Sequence, residues 1–145
     1  MRYGYAAINL TLADKEIQVN RSMVKKTFLE KGTAYASSLA LANVTDLEKV
    51  IDWNIDNNLL FYRMSSDMFP WMSEYEICDL PDYEEIRKTC KRCGEKAEKN
   101  RLRLTLHPGP FNVLATNTAA VLSNTIKELR QHAEIMDLLM LPHTP

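Results

Sequence analysis

The stretch Leu102-Arg103-Leu104-Thr105-Leu106-His107-Pro108-Gly109 decides how the fold of this chain is interpreted. Leucine alternates with a polar residue over residues 102–106, which is the pattern of a strand with one buried face. His107 follows directly, and the Pro-Gly pair then ends the strand. We predict a strand over residues 101–107 that delivers His107 to the carboxyl edge of a sheet, the edge at which α/β barrels do their chemistry.

Two other strand-like runs also end in polar loops. Residues 1–8 lead into Asn9-Leu10-Thr11, and residues 59–64 lead into Ser65-Ser66-Asp67. Helical patterns cover residues 33–57, 82–100 and about 118–139, with a further short helix expected around 22–31. The order β-α-β-α-β-α predicts parallel strands with right-handed crossovers. We therefore expect the α/β class and a TIM-barrel type fold, represented by its first three βα units as an incomplete barrel.

Three local signals give finer expectations. Thr45-x-x-Glu48 has the form of a capping box, and Pro81 suits the first position of a helix. In the third long helix the spacing of apolar residues predicts an inward face, with His132 beside it in solvent. That inward face comprises Leu122, Ile126, Leu129, Ala133 and Met136.

Composition excludes several classes of protein. The 145 residues carry a net charge of −1 and are 46% hydrophobic, with no global positive charge to indicate a nucleic-acid partner. No apolar run reaches membrane-spanning length, and the first residues lack the apolar core of a signal peptide. We expect an intracellular protein, cytoplasmic or associated with the nucleoid. The sequence stops where a fourth strand is due, so it looks cut rather than finished.

The cysteines favour a structural role. Cys90-Lys91-Arg92-Cys93 has the spacing of a zinc or redox pair, but the chain has no second such pair. Both cysteines share an apolar helical stripe with Ile86 and Ala97, and buried cysteine behaves as a small hydrophobic residue. We expect both thiols to lie in the core.

Several residues near the expected carboxyl edge are candidates for function. His107 is suited to contact a metal or a substrate, or to be a hydrogen-bonded structural histidine. Asp67 and Glu74 are suited to contact a cation, although acids in loops are more often merely solvated. Three aromatic residues either stack on unpaired bases or form an apolar lid, and the sequence leaves both interpretations open: Trp71, Tyr75 and Phe111.

A series of motifs follows in order along the chain. It consists of Gly4-Tyr5, Asn9-Leu10-Thr11, Asn43-Val44-Thr45-Asp46-Leu47, Trp53-Asn54, Phe61-Tyr62-Arg63-Met64-Ser65-Ser66 and His107-Pro108-Gly109. In this order the motifs resemble the N-terminal portion of the UV damage endonuclease family. The resemblance covers essentially the whole chain but only about the first half of a family member.

The resemblance implies a TIM barrel related to the apurinic endonuclease IV fold. It also implies an ATP-independent DNA repair enzyme that nicks double-stranded DNA immediately 5′ to cyclobutane dimers and 6-4 photoproducts. Enzymes of this family use a cluster of divalent metals, commonly manganese, to activate water and stabilise the leaving oxygen. Residues 1–145 would then be the N-terminal part of a single TIM-barrel endonuclease domain.

The resemblance also assigns individual residues. His107 matches the strand-three histidine that binds a metal in the family. Tyr5 and Asn9 match first-strand residues that line the DNA-binding rim. Pro110 and Phe111 stand where the family usually has a Gln-Tyr pair that probes the duplex at the lesion, so only the stacking half of that pair is kept.

Other family features are replaced or lie beyond the sequence. Glu74 stands about where the family often has a histidine, and the remaining metal ligands and the active-site lysine fall after residue 145. We therefore expect the isolated 145-residue chain not to incise UV-irradiated DNA. Two alternatives stay open: another divalent-metal barrel enzyme, such as an apurinic endonuclease or sugar isomerase, and a non-catalytic gene fragment or half-barrel subunit completed by a second chain.

Overall fold

A computed structural model describes residues 3–109 and 112–141 of the chain. Its elements alternate between strands and helices, as the sequence predicts. The strands are β1 (Gly4–Ala6), β2 (Phe61–Met64) and β3 (Arg103–Leu106), and the helices are α1 (Leu10–Ala13), α2 (Lys25–Asp56), α3 (Tyr83–Lys99) and α4 (Ala119–Leu138). Three short 3-10 turns lie between β2 and α3, at Ser66–Met68, Met72–Glu74 and Ile77–Asp79.

The three strands form one parallel sheet in the order β1-β2-β3. The register pairs Tyr5 with Tyr62 and Tyr62 with Leu104. Gly4 is required beside β2, because a Cβ atom at this position would overlap the backbone carbonyl of Phe61. The α/β class is confirmed, and three consecutive parallel strands are consistent with part of a barrel.

The two faces of the sheet differ in burial. The face that contains Tyr62 and Met64 is buried against the helices, with both residues fully inaccessible. Alternation along the strands puts Ala6, Arg63 and Thr105 on the other face, where they are exposed or half-buried. We call this the open face of the sheet, and His107 continues it by the same alternation.

Helices α2 and α3 pack together on the buried face. Glu48 and Asp52 of α2 pair with Lys96 of α3 at 3.2 and 2.8 Å. Helices α2 and α3 both end in a residue with positive φ, at Asn58 (φ 54°) and Arg101 (φ 57°), and the next amide bonds back to the helix at Asn54 and Ala97. This is a Schellman-type ending built without glycine, and it turns the chain directly into the following strand.

Several local expectations need correction. The helix expected around 22–31 is the first part of α2, and Gly32 (φ 64°, ψ −163°) breaks its regular geometry. Thr45 caps nothing: it lies inside α2, where its hydroxyl donates to the carbonyl of Leu41 at 2.7 Å. Helix α3 begins at Tyr83 after Asp82, so Pro81 precedes the helix rather than opening it.

The expected inward face of α4 is only partly correct. Met136 packs against the core as predicted, but Ile126 and Ala133 are exposed. His132 was expected in solvent and is instead buried. The buried residues of α4 are Thr125, Gln131, His132 and Ile135. The physical reason is that α4 packs on the polar backbone of the loop after β2. Gln131 donates to the carbonyls of Met72 and Tyr75, the latter at 3.2 Å. A polar residue is therefore buried at a position that the apolar spacing predicts to face solvent. In the described part of the chain no helix is both long and apolar enough to cross a bilayer.

Candidate functional site at the carboxyl edge of the sheet

His107 and Arg63 are joined at the carboxyl edge of the sheet. The guanidinium Nη2 of Arg63 lies 2.8 Å from His107 Nδ1, across 44 residues of sequence. Arginine has only donors, so Arg63 donates and Nδ1 accepts. His107 is exposed and Arg63 half-buried, and no acidic side chain among the described residues pairs with Arg63. The edge therefore presents a guanidinium without a carboxylate partner.

Tyr5 and Asn9 form a hydrogen-bonded chain with α2. The Tyr5 hydroxyl donates to Asn54 Oδ1 at 2.8 Å, and Asn9 Nδ2 donates to the same hydroxyl at 2.7 Å. Asn9 Oδ1 also accepts from the Leu12 amide at 3.1 Å and so caps α1. Burial raises the pKa of Tyr5, against the lowering effect of the two asparagines. Both side chains therefore hold the turn after β1 in shape through these hydrogen bonds.

A second tyrosine fixes the same turn. Ala7 has a positive φ of 56°, unusual for a residue with a side chain. The Tyr62 hydroxyl donates to the carbonyl of Ala7 at 2.7 Å, and burial raises the pKa of this hydroxyl far above its ordinary value. Tyr62 therefore holds a strained residue between β1 and Asn9. Its position in the apolar run of β2 gave no sign of this role.

Asn43 is a further residue that sequence reasoning missed. It is fully buried in α2, and its Oδ1 accepts from the Arg21 amide at 2.9 Å. Its Nδ2 donates to the carbonyls of Met68 at 3.1 Å and Asp67 at 3.3 Å. Asn43 thus ties the segment before α2 to the loop after β2. An asparagine within the buried stripe of a long helix was the available signal.

The aromatic residues of the loop after β2 are used inside the protein. Trp71 Nε1 donates to the carbonyl of Met23 at 2.8 Å, and its ring stacks on Phe28 with centroids 5.8 Å apart. Tyr75 is buried, with its hydroxyl donating to the carbonyl of Pro70 at 2.8 Å. These two residues are packed, as a lid would be, rather than presented for stacking on bases. Phe111 and Pro110 lie outside the described residues.

The acidic candidates do not assemble into a metal site. Asp67 and Glu74 are both exposed. Among the described residues no three His, Cys, Asp or Glu side chains come together in a way that could hold a metal ion. His107, the expected ligand, has its Nδ1 lone pair occupied by Arg63. The described residues therefore do not fit a metal centre as they stand.

The cysteine pair is part of the core, as expected. Cys90 and Cys93 are both inaccessible, while Cys78 is exposed. Burial raises the pKa of Cys90 to about 12 and also raises that of Cys93. Because the thiolate is the reactive and metal-binding form, these two residues are suited to packing and not to redox or zinc chemistry.

Comparisons with known proteins all match this chain to UV damage endonucleases. The family model described as UV-endonuclease UvdE matches residues 1–145. The UV DNA damage endonuclease of Clostridium perfringens is 30% identical over 139 residues, which is 96% of this chain and 32% of that protein. The UV-damage endonuclease of Schizosaccharomyces pombe is 30% identical over 142 residues, which is 97% of this chain and 23% of that protein.

A solved structure has the same arrangement of elements. The crystal structure of SacUVDE matches with a TM-score of 0.85 at 23% identity, over 97% of this chain and 46% of that chain. The present chain therefore spans less than half the length of each of these proteins. At this level of identity the structural match establishes the fold of the matched part.

Proposed function

Because this chain belongs to the UV-endonuclease UvdE family, we propose that it acts as part of a DNA repair endonuclease that nicks double-stranded DNA 5′ to UV photoproducts. The observation that supports this proposal is the match of the family model over all 145 residues. The relatives named UV damage endonucleases align over nearly the whole chain as well. The reaction would be hydrolysis of a phosphodiester bond.

The proposal extends to the fold of the complete domain. Residues 1–145 would form the N-terminal part of a single TIM-barrel domain, with β1, β2 and β3 as its first three strands. The open face of the sheet supports this, because parallel sheets are normally covered on both faces. In a closed barrel this face would line the interior, and the carboxyl edge would carry the site.

The roles of individual residues belong to the same proposal. His107 would contact a divalent metal, expected to be manganese, and Phe111 with Pro110 would face the lesion. Tyr5 and Asn9 would serve the DNA-binding rim by holding the turn after β1 in shape, since their polar atoms are bonded to Asn54, Leu12 and each other. In this form their contribution to DNA binding is indirect.

The isolated 145-residue chain is proposed to be inactive. Metal-dependent cleavage of a phosphodiester needs several carboxylates and imidazoles around the cations. The described residues bring no such group together. We expect no nicking of a duplex with one cyclobutane dimer when this chain is supplied with Mn²⁺.

A hybrid protein tests the proposal directly. The matched segment of the Clostridium perfringens enzyme would be replaced by this chain, and incision measured on duplexes that carry a dimer, an abasic site or no damage. We expect Mn²⁺-dependent nicking 5′ to the dimer, lost in the hybrid with His107→Ala. A folded hybrid that cuts only the abasic duplex would favour an apurinic endonuclease instead. Circular dichroism of each hybrid confirms that it is folded.

A non-catalytic half-barrel subunit is the second candidate. The observation that favours it is the open face together with the two outer strands, β1 and β3, each of which pairs on one side only within the described sheet. Unpaired strand edges are templates for association. Light scattering over a range of protein concentrations tests the half-barrel candidate. A half-barrel subunit should assemble as the protein concentration rises, and a chain that stays monomeric contradicts this candidate.

A further inference from the structure

A cavity of about 420 Å³ lies between α4 and the loop after β2 and contains none of the candidate residues of the carboxyl edge. Its polar lining consists of Glu76 from the loop and Ser123, Lys127, Arg130, Gln131 and Glu134 from α4. We propose that this cavity binds a small zwitterion, with its ammonium group between Glu76 and Glu134 and its carboxylate against Arg130. The proposal does not depend on the nuclease function.

The first observation is an unpaired acceptor in the wall of the cavity. Gln131 is only 3% exposed, and its Nε2 donates to the carbonyls of Met72 and Tyr75. Carbonyls only accept, so this contact fixes the orientation of the amide. Oε1 is then buried without a hydrogen-bond partner among the described residues, which is a costly arrangement. Because the bond to Tyr75 holds the amide beside Glu76, the missing donor belongs at the Glu76 end of the cavity.

The second observation is a pair of carboxyl groups at the same end. The side chains of Glu76 and Glu134 form no hydrogen bond or ion pair with another described residue. Burial raises the pKa of the half-buried Glu134, and the charges of Glu76 and Asp137 raise it further. Two carboxyl groups and the oxygen of Gln131 are thus acceptors without a donor.

An organic ammonium group fits these acceptors. It carries three N–H donors and a positive charge, so it can satisfy all three oxygens at once. A metal ion fits less well, because nowhere in the described ranges do three His, Cys, Asp or Glu side chains come together to hold one. The acidic end of the cavity therefore favours an amine as the ligand group.

The opposite charge lies one turn earlier on the same helix. Arg130 is exposed and has no acidic partner in the described part of the chain, whereas Lys127 is occupied by the carbonyl of Ser73. Arg130 and Glu134 share a face of α4 and lie about 6 Å apart along its axis. A simple amine would leave the guanidinium unpaired and be repelled by it. A ligand that also carries a carboxylate pairs with both ends, so the charges specify a zwitterion.

The spacing of the two charges gives the first test. The isotope-labelled 145-residue chain is titrated with glycine, γ-aminobutyrate and ε-aminocaproate and followed by NMR. We expect shifts in the side-chain amide of Gln131 and in the backbone amides of Glu76 and Glu134. The two longer ligands should bind more tightly, because the charged residues are about 6 Å apart along the helix. No shift at Gln131 with any ligand would mean that solvent alone fills the cavity, which overturns the proposal.

Ligands with one charge test whether both ends are used. Butyrate and n-butylamine each keep one of the two charged groups of γ-aminobutyrate. Each should bind at least about tenfold more weakly, since a hydrogen bond between charged groups is lost. If n-butylamine or glycine binds as tightly as γ-aminobutyrate, the role of Arg130 is contradicted.

Substitutions locate the site. Glu134→Gln and Arg130→Gln should each weaken the binding of γ-aminobutyrate by about tenfold or more, for the same reason. Neither side chain bonds to another described residue, so circular dichroism should show an unchanged fold. Glu98→Gln and Lys88→Gln are the matched controls, because they remove the same charges from exposed positions on α3. They should leave binding unchanged, and weakening as large as that of the cavity variants contradicts a defined site.

Discussion

Single hydrogen bonds determine what each polar residue at the carboxyl edge is free to do. Tyr5 and Asn9 are proposed to serve the DNA-binding rim, yet their polar atoms are engaged by Asn54, by the amide of Leu12 and by each other. His107 is exposed, yet its acceptor nitrogen is engaged by Arg63. Residue identity alone would have assigned all three as free contacts. The partners show that Tyr5 and Asn9 are held within the turn after β1 and that His107 is bonded to Arg63.

Asp46 gives a residue-level prediction about stability. It is buried in α2, where its carboxylate pairs with Arg21 at 2.6 Å and Lys49 at 2.7 Å and accepts from the Gln18 amide. Burial acts to raise the pKa of Asp46, but the hydrogen bonds from Lys49, Arg21 and Gln18 outweigh it and lower the pKa. The folded protein therefore prefers the ionised form.

We expect the stabilising effect of this depressed pKa to be fully present above about pH 4, the ordinary range of Asp, and to disappear as the pH falls through the lower folded value. Asp46→Asn should lower the free energy of unfolding at pH 7 by about 2 kcal/mol, the cost of losing hydrogen bonds to a charged group. Urea unfolding at pH 7 and pH 3 measures both effects. Asp52→Asn, which removes an exposed ion pair, is the control and should cost about 0.5 kcal/mol. A pH dependence unchanged in Asp46→Asn contradicts the assignment.

At the scale of elements, α4 shows how a loop overrides periodicity. The apolar spacing of its sequence predicts one face, but the carbonyls of Met72 and Tyr75 need donors, and Gln131 supplies them from another face. Buried carbonyls left unpaired are costly. His132 is buried on the same side, with Nδ1 within 2.8 Å of the carbonyl of Glu128. These hydrogen bonds, together with the burial of Ile135, therefore favour the observed rotation of this helix.

The crossing of α3 and α4 gives an element-level prediction. Gly94 lies in α3 where an added Cβ would overlap the backbone carbonyl of Leu139 at the end of α4. Although alanine is the better helix former by about 1 kcal/mol, the two helices would have to move apart. We expect Gly94→Ala to destabilise the protein by about 1–3 kcal/mol, the usual cost of overpacking.

Urea unfolding measures this change. Glu95→Ala, at the neighbouring exposed position, is the control and should shift the free energy of unfolding by less than about 0.5 kcal/mol. A Gly94→Ala protein as stable as the unsubstituted chain would show that the end of α4 does not lie directly against Gly94.

At the scale of the whole molecule, charge is distributed unevenly despite the net value of −1. Residues 15–31, which include the first turns of α2, carry five basic residues against two acidic ones: Lys15, Arg21, Lys25, Lys26 and Lys31 against Glu16 and Glu30. Helix α2 runs back from the end of β1 to the start of β2, so its first residues lie near the carboxyl edge of the sheet. Phe28 is held there by stacking on Trp71 of the loop after β2. The basic segment is therefore on the side expected to meet DNA.

A whole-molecule prediction follows for DNA binding. Replacing Lys25, Lys26 and Lys31 by glutamine should weaken binding to duplex DNA and reduce the salt dependence, by about 0.9 in the log–log slope for each phosphate that these lysines neutralise. The matched control replaces three exposed lysines of α3 by glutamine: Lys88, Lys91 and Lys99. It removes the same charge from another surface and should change little. Fluorescence anisotropy over a salt series measures both triple variants, and equal weakening in the two would show that only net charge matters.

The sequence by itself determined the order of elements, because periodicity is a local property. Alternation over residues 102–106 marked β3, and apolar spacing marked α2 and α3, of which α3 carries its two cysteines in the core. The ordered motifs also determined the family. These signals need no knowledge of distant partners, and for that reason they were confirmed.

Tertiary structure alone decided which atoms are available at the candidate site. The bond between Arg63 and His107 spans 44 residues, and that between Tyr5 and Asn54 spans 49. The position of the half-buried Trp71 and the rotation of α4 depend on partners 48 and 56 residues away, at Met23 and Tyr75. A hydrogen bond depends on the distance and direction between two groups, and for groups this far apart in sequence only the packing of the sheet, helices and loops sets that geometry.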